Sequence, residues 1–258
     1  MNNFLNAFPT WSLMVAVFLL VLAMAEVGYR FGRSPFAGGS SDAPSRVVQG
    51  SAFTLLGLLL GFSFVLALGR YDSRREALVR EANAIGTTYL RSYLLDERSA
   101  AALRVELRDY VASRIAFARA DAQPQERAVA DVKSSQLQRA MWILAIQAAR
   151  SDPRSTTMPL LLASLNETID LSTEEGAVLA AHIPDIVIGG LVLIALIAAG
   201  MMGFAFGRHG QRAWVPKILF AAMLALALGL VLDLDRPQRG IIRIDLSALE
   251  DVAHLMQR

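Results

Sequence analysis

The chain has 258 residues, 54% of them hydrophobic, and a formal net charge of only +2. This hydrophobicity indicates a membrane protein, and the balanced charge argues against nucleic-acid binding. The sequence contains no cysteine, which excludes disulfides, thiolate nucleophiles and zinc–thiolate sites.

The first two hydrophobic segments are predicted to span the membrane. Segment one covers about residues 11–29, and we expect it to be retained because its N-terminal flank lacks the positive charge of a signal peptide. Segment two covers residues 50–69 without a single charge and continues to residue 95 without a proline. This pattern predicts one helix over 50–95, about 65–70 Å long, with half of its length in lipid and half in water.

The membrane part of that helix carries two stripes of related side chains. One stripe consists of small residues: Gly50, Thr54, Gly57 and Gly61. The next stripe consists of large apolar residues: Leu58, Phe62 and Leu66. Both stripes are candidates for lining a pore or for packing against other helices. The pair Gly57 and Gly61 forms a GxxxG pattern. Two interpretations stay open, namely packing inside a helix bundle and lining of a pore, where an apolar ring gates ions by dewetting.

Residues 70–184 are polar and predict a helical extramembrane domain, with no useful stretch of period two. Asp96 or Ser99 is expected to begin a helix that ends before Pro124, and the next helix covers about 126–149. Thr156 or Thr157 is expected to cap another helix, which carries Pro159 in its first turn.

Two further hydrophobic segments, about 186–207 and 214–232, complete the predicted spans. The predicted fold class is therefore an all-α integral membrane protein with four transmembrane helices and a helical extramembrane domain. The predicted domains are a first transmembrane pair (1–69), the extramembrane domain (70–184), a second transmembrane pair (185–234) and a charged C-terminal tail (235–258). Basic residues are about as frequent on both sides of the predicted spans, which leaves the sidedness open.

The sequence carries no recognised catalytic motif, and its three histidines are scattered. We therefore expect no enzymatic activity, no cofactor and no metal. Two polar groups are candidates for function or packing. The first is a polar layer, interpreted either as structural hydrogen bonding or as a ring that coordinates ions: Asn83, Thr87, Asn166 and Asp170. The second is a set of charges at the ends of spans two and four, interpreted as interfacial ion pairs or as a pore mouth: Arg70, Arg74, Asp233, Asp235 and Arg236.

Three stretches carry a family resemblance: the run from residue 50 to 91, SLNETID, and LDLDRPQRGIIRI. They resemble the bestrophin-like domain family of bacterial membrane proteins, over nearly the whole chain. The resemblance implies a distant relation to bestrophins, which are four-span, pentameric, anion-selective channels whose second membrane helix lines an apolar neck. Leu58, Phe62 and Leu66 match the spacing of that neck. The acidic calcium clasp of the animal channels is missing, so the resemblance does not imply calcium gating.

We expect a homo-oligomeric ion channel in a bacterial inner membrane, with the lipid bilayer, further copies of the chain and inorganic ions as partners. Anion selectivity is implied by the resemblance alone. A non-conducting membrane scaffold or regulator, whose helical domain binds a partner, is the first alternative, and a cation channel is the second. Flux of chloride against potassium distinguishes the three.

Overall fold

The computed structural model describes residues 9–34, 42–120, 123–236 and 242–257. All regular secondary structure in these residues is helical, which confirms the predicted all-α class. The described ranges contain eight helices: α1 (Thr10–Arg33), α2 (Asp42–Ser92), α3 (Glu97–Arg119), α4 (Pro124–Ser151), α5 (Met158–Ala180), α6 (Asp185–Arg208), α7 (Trp214–Asp235) and α8 (Ser247–Leu255).

Four of the helices, α1, α2, α6 and α7, are long and apolar enough to cross a membrane, which confirms the four predicted spans. The second is a single helix of 51 residues, as expected, but it begins eight residues earlier than predicted and ends three residues sooner. Pro44 lies in its first turn, where the missing N–H costs no hydrogen bond, so the proline permits this earlier start.

Contacts between residues divide the chain into two compact units. Unit 1 contains the chain up to Gly69 together with His182–Arg236, and unit 2 contains Arg70–Ala181 together with Pro237–Arg258. Helix α2 contributes to both, because the boundary falls within it.

In unit 1, α1 packs against α6 and α7 through small side chains. Ala25, Ala195 and Ala198 are fully buried in its core, next to larger residues such as Val21 and Leu228. Alanine at these positions allows the helix axes to come close, which is how helices associate in a bilayer without a hydrophobic driving force.

Glycines bring α1 and α6 into direct backbone contact. A Cβ atom added at Gly203 would overlap the carbonyl oxygen of Ala25, and one added at Gly28 would overlap that of Gly200. The glycines of this contact are Gly28 and Gly32 on α1 and Gly200, Gly203 and Gly207 on α6. The close helix contact inside one chain is therefore between α1 and α6, and the Gly57–Gly61 pair of α2 has no part in it.

Unit 2 packs the second part of α2 with α3, α4, α5 and α8 around Leu103, Leu107, Met141, Leu161 and Leu165. Helix α3 begins as predicted, since the Asp96 side chain accepts a hydrogen bond from the Ser99 N–H at 3.1 Å. Thr157 precedes α5, but it is the Ser155 hydroxyl that accepts the Met158 N–H.

The C-terminal segment contributes to the core of unit 2. Ile244, Leu249 and Met256 are buried there, although only nine residues of this segment form α8. The Arg108 side chain of α3 holds the segment by donating a hydrogen bond to the Met256 carbonyl at 2.6 Å.

Candidate functional site

The seven residues predicted to line a pore or pack helices all lie on exposed faces of α2. The large members of the set are more than half exposed: Leu58 by 54%, Phe62 by 59% and Leu66 by 58%. Within the described chain, nothing lies within 4 Å of a Cβ added at Gly50, Gly57 or Gly61. The structure of one chain thus leaves this surface of α2 uncovered.

The buried side of the same helix segment is narrow. Leu56, Ser63 and Ala67 are buried, and they recur at the spacing of a single helical stripe. The two predicted stripes flank the side that lies opposite this buried stripe. We call the seven residues of these two stripes the open face of α2.

Two of the charges predicted at the ends of spans two and four, Arg74 and Asp235, have partners inside their own units. In unit 2, Arg74 is buried and donates a hydrogen bond to the Ala181 carbonyl at 2.6 Å, next to the end of α5. Arg70, one turn earlier, is half-buried. Arg74 therefore satisfies a carbonyl that the end of α5 leaves without a helical partner.

In unit 1, Asp233, Asp235 and Arg236 are buried at the end of α7. The Asp235 carboxylate accepts the N–H of Ile183 at 3.0 Å and lies 3.6 Å from Nδ1 of His182. This contact ties the end of α7 to the segment before α6. The pairing of these aspartates with Arg70 and Arg74 remains a prediction.

The four residues of the predicted polar layer lie at the surface of unit 2. Asn83, Asn166 and Asp170 are exposed and Thr87 is half-buried. Asn166 donates to the Asp170 carboxylate at 2.8 Å within α5, and the Thr87 hydroxyl donates to the carbonyl of Asn83 at 2.9 Å. Their exposure leaves them accessible to solvent or to a second copy of the chain.

A buried polar contact between α2 and α5 is formed by neighbouring residues instead. Thr88 and Thr168 are both buried, and their hydroxyl oxygens lie 3.0 Å apart. Each hydroxyl also has a partner in the carbonyl one turn earlier in its own helix. Both threonines are thereby satisfied, as buried hydroxyls require.

A charged cluster that the sequence reasoning missed lies inside unit 2. Glu81 of α2, Arg114 of α3 and Glu175 of α5 are almost completely buried. Arg114 donates from Nε to Glu81 at 2.6 Å and from its terminal nitrogen to Glu175. Tyr110 donates its hydroxyl to Glu81 at 3.4 Å and accepts a hydrogen bond from Gln138 at 3.2 Å. We call Glu81, Arg114 and Glu175 the buried triad.

The buried triad contains two carboxyl groups and one guanidinium. The pKa of Glu175 is raised to about 8, chiefly by burial and also by the charge of Glu81, while Arg114 opposes this rise. Burial likewise raises the pKa of Tyr110 to about 12. At neutral pH the triad therefore retains a proton on its carboxyl pair, which leaves Arg114 balanced by one negative charge.

The sequence does contain a signal for this triad. Glu81 interrupts an apolar stripe between Leu78 and Ile85, and Arg114 follows Leu107 and Tyr110 at helical spacing. Glu175 stands on the stripe of Leu165 and Leu179. Charges at core positions of three helices indicate a shared buried ion pair, since a lone buried charge is too costly.

The described residues contain no group of histidine, aspartate and glutamate side chains that could hold a metal ion.

These features define a multi-pass, all-α membrane protein with a long second helix shared between a membrane unit and a helical unit. The chain belongs to the bestrophin-like family, because the family's model, the bestrophin-like domain, matches residues 15–249. The resemblance expected from the sequence is thus confirmed. No curated protein matches the sequence significantly.

Solved structures are similar in fold. A point variant of a bacterial bestrophin homologue from Klebsiella pneumoniae superposes with a TM-score of 0.71 at 12% identity, covering 94% of this chain and 97% of that one. Another structure of a Klebsiella pneumoniae bestrophin homologue gives 0.64 at 15% identity, covering 95% and 96%. A structure described only as a membrane protein variant gives 0.67 at 16% identity, covering 95% of both chains.

Proposed function

We propose that the chain forms a homo-oligomeric ion channel in the bacterial inner membrane, with α2 nearest the axis and anions as the favoured ions. Membership of the bestrophin-like family supports a channel, because bestrophins are channels. The open face of α2 is the observation that supports an oligomer with α2 nearest the axis. Repetition of this face around an axis surrounds a path with identical helices, which a single chain cannot do.

Burial separates the first two spans from the last two. The apolar window of α2 is 17% buried within the chain and that of α1 is 22% buried, against 39% for α6 and 44% for α7. Lipid alone would cover large apolar side chains, but glycines gain little from lipid. Exposed Gly57 and Gly61 therefore favour a neighbouring helix, and the adjacent stripe with Phe62 then faces the axis.

Polar residues continue the proposed path beyond the membrane. At 3.6 residues per turn, Asn83 and Thr87 fall on the same side of α2 as Leu58 and Phe62. A ring of these neutral side chains would form a wider vestibule behind an apolar constriction. An apolar constriction controls conduction by dewetting, whereas polar or charged rings at its mouth select the sign of the ion.

Replacing Gly57 and Gly61 together with leucine is expected to break the oligomer while leaving the single chain folded. Nothing in the described chain occupies the space next to these glycines, so the added side chains obstruct only a neighbouring copy. The mass of the complex in nanodiscs measures this effect. Gly203→Leu is the matched comparison: its side chain would overlap the Ala25 carbonyl, so this variant should lose the folded chain itself. An unchanged mass for the Gly57/Gly61 variant would contradict the proposed packing.

Replacing Phe62 with alanine is expected to raise conductance with little change in the ratio of chloride to potassium permeability, because a smaller ring widens an apolar neck without altering its charge.

Arg70→Glu is expected to lower the ratio of chloride to potassium permeability, since a cation at the mouth attracts anions over about 8 Å at physiological salt. Purified protein in liposomes under a salt gradient gives both quantities from conductance and reversal potential.

Phe64→Ala is the control for the neck, because Phe64 is also exposed on α2 but lies on the side of the glycine stripe. Equal changes in conductance for Phe62→Ala and Phe64→Ala would contradict the placement of Phe62 at the axis. An unshifted reversal potential for Arg70→Glu would show that the charge at this mouth does not set the ion selectivity. A wild-type protein that conducts no ion would favour the scaffold function.

A further inference from the structure

Beyond the proposed membrane span, α2 carries charged side chains in line with the open face. Arg80 follows Phe62 by eighteen residues, which make five full turns at 3.6 residues per turn. Glu76 follows Leu58 by the same number of residues. Both charged residues are exposed, and both belong to the same continuous helix as the open face. In the proposed channel, each copy of α2 therefore turns one cation and one anion towards the path for ions.

Helix α5 lies beside this part of α2 and supplies a second carboxylate. Arg80 donates a hydrogen bond from a terminal nitrogen to the Glu174 carboxylate at 2.5 Å. Each of the two side chains is 45% exposed, so the ion pair stays in contact with water. Glu76, one turn before Arg80 on α2, also acts on the guanidinium with its charge. One cation is thus flanked by two carboxylates on the surface of unit 2.

Buried contacts between α2 and α5 hold Glu174 beside Arg80. The next residue of each helix, Glu81 on α2 and Glu175 on α5, belongs to the buried triad and is bound by Arg114. The hydroxyl contact between the same two helices provides a second fixed point about two turns further along α2. The two helices therefore keep their relative position without the surface ion pair, and its charges can be changed without moving the helices.

We propose that Arg80 determines which sign of ion passes this part of the vestibule, because its guanidinium offsets the carboxylates of Glu76 and Glu174. This inference rests on the proposed channel with α2 nearest the axis. Rings of carboxylates favour cations in a pore, whereas basic rings favour anions. Without Arg80, repetition of the two glutamates around the axis would form a carboxylate ring, which disfavours the anions of the proposed function. Glu174 in turn limits how much positive charge Arg80 presents to the path.

Arg80→Gln is expected to lower the ratio of chloride to potassium permeability about two- to sixfold, which is the effect of one charge at about 4–8 Å from an ion in water. Arg80→Lys keeps the charge and should stay close to the wild-type ratio. Glu174→Gln removes the partner carboxylate and should raise the ratio, so the two single changes act in opposite directions. Reversal potentials of the purified full-length protein in liposomes under a potassium chloride gradient measure these ratios.

The ion pair between Arg119 and Glu250 provides the matched control. It is also an exposed pair of unit 2, with its atoms 2.6 Å apart, but it joins α3 to α8 and does not involve α2. Glu250→Gln therefore removes the same charge as Glu174→Gln and should leave the permeability ratio unchanged. Exposed ion pairs contribute little to stability, so none of these substitutions is expected to unfold the chain.

Unchanged ratios for Arg80→Gln and Glu174→Gln, in a protein whose wild type conducts, would overturn this inference and leave the channel function intact. Shifts of the same sign in both variants would overturn it as well, because an effect of charge must reverse with the sign of the charge removed. An equal shift for Glu250→Gln would do the same, since diffuse surface charge would then set the ratio. A wild-type protein that conducts no ion would overturn the proposed function and this inference together.

Discussion

Replacing Arg114 with methionine is expected to destabilise the folded protein by about 3–5 kcal/mol, because it leaves two buried carboxyl groups without their only cation in the buried triad. Glu81 and Glu175 are too deeply buried to regain solvation without opening unit 2. The denaturation midpoint of the full-length protein in detergent, followed by circular dichroism, measures the loss.

Arg119→Met is the matched control for this prediction. Arg119 lies on the same helix and pairs with Glu250 at 2.6 Å, but both partners are largely exposed, so the change should leave the midpoint nearly unaltered. Adding Glu81→Gln and Glu175→Gln to Arg114→Met should recover much of the loss, since no charge then remains in the core. A single Arg114→Met variant as stable as the wild type would contradict the triad.

Glu175→Gln is expected to flatten the dependence of stability on pH. The pKa of Glu175 is raised to about 8 in the folded protein, above the ordinary value of 4.5. The protonated form is therefore favoured by folding, and its contribution is complete below about pH 4.5 and is lost as the pH rises through about 8. Each pH unit in this window costs up to about 1.4 kcal/mol. Midpoints measured from pH 5 to pH 9 should fall more steeply for the wild type than for the variant.

Glu174→Gln provides the control at the neighbouring position. Glu174 is exposed and pairs with Arg80 at 2.5 Å on the surface of unit 2. The change removes the same carboxylate charge one residue away, so the steep fall between pH 5 and about pH 8 should persist. Parallel pH profiles for the wild type and Glu175→Gln would show that the carboxyl pair holds no proton at neutral pH.

The helices of the protein could be predicted from sequence because the signals are local. An uncharged run long enough to cross a bilayer needs no knowledge of its neighbours, and the Asp96 cap depends on a contact only three residues away. The start of α2 was missed because the stretch before residue 50 is rich in glycine, serine and proline, which is typical of a connecting loop, although Pro44 is tolerated in a first turn.

Contacts between helices could be predicted far less well. The GxxxG pattern of Gly57 and Gly61 indicates that another helix approaches closely, but it does not indicate which one. Within one chain, the close backbone contacts are made at Gly28 and at Gly203 instead. The α2–α5 hydroxyl contact falls on Thr88, one residue after the predicted Thr87. One residue is a rotation of about 100° on a helix, so the same pattern describes an exposed surface or a buried contact.

The return of the C-terminal segment to unit 2 bears on how the protein is made. Residues Ile244, Leu249 and Met256 complete a hydrophobic core whose other elements end at Ala181, and both α6 and α7 lie between them in the chain. During translation, the helices of unit 2 therefore emerge from the ribosome well before the residues that cover their core. The part of the core that these residues cover stays exposed until the last two membrane helices have been synthesised. Membrane insertion thus precedes closure of the core, and chains stalled before α8 expose an apolar surface that cellular quality control can recognise.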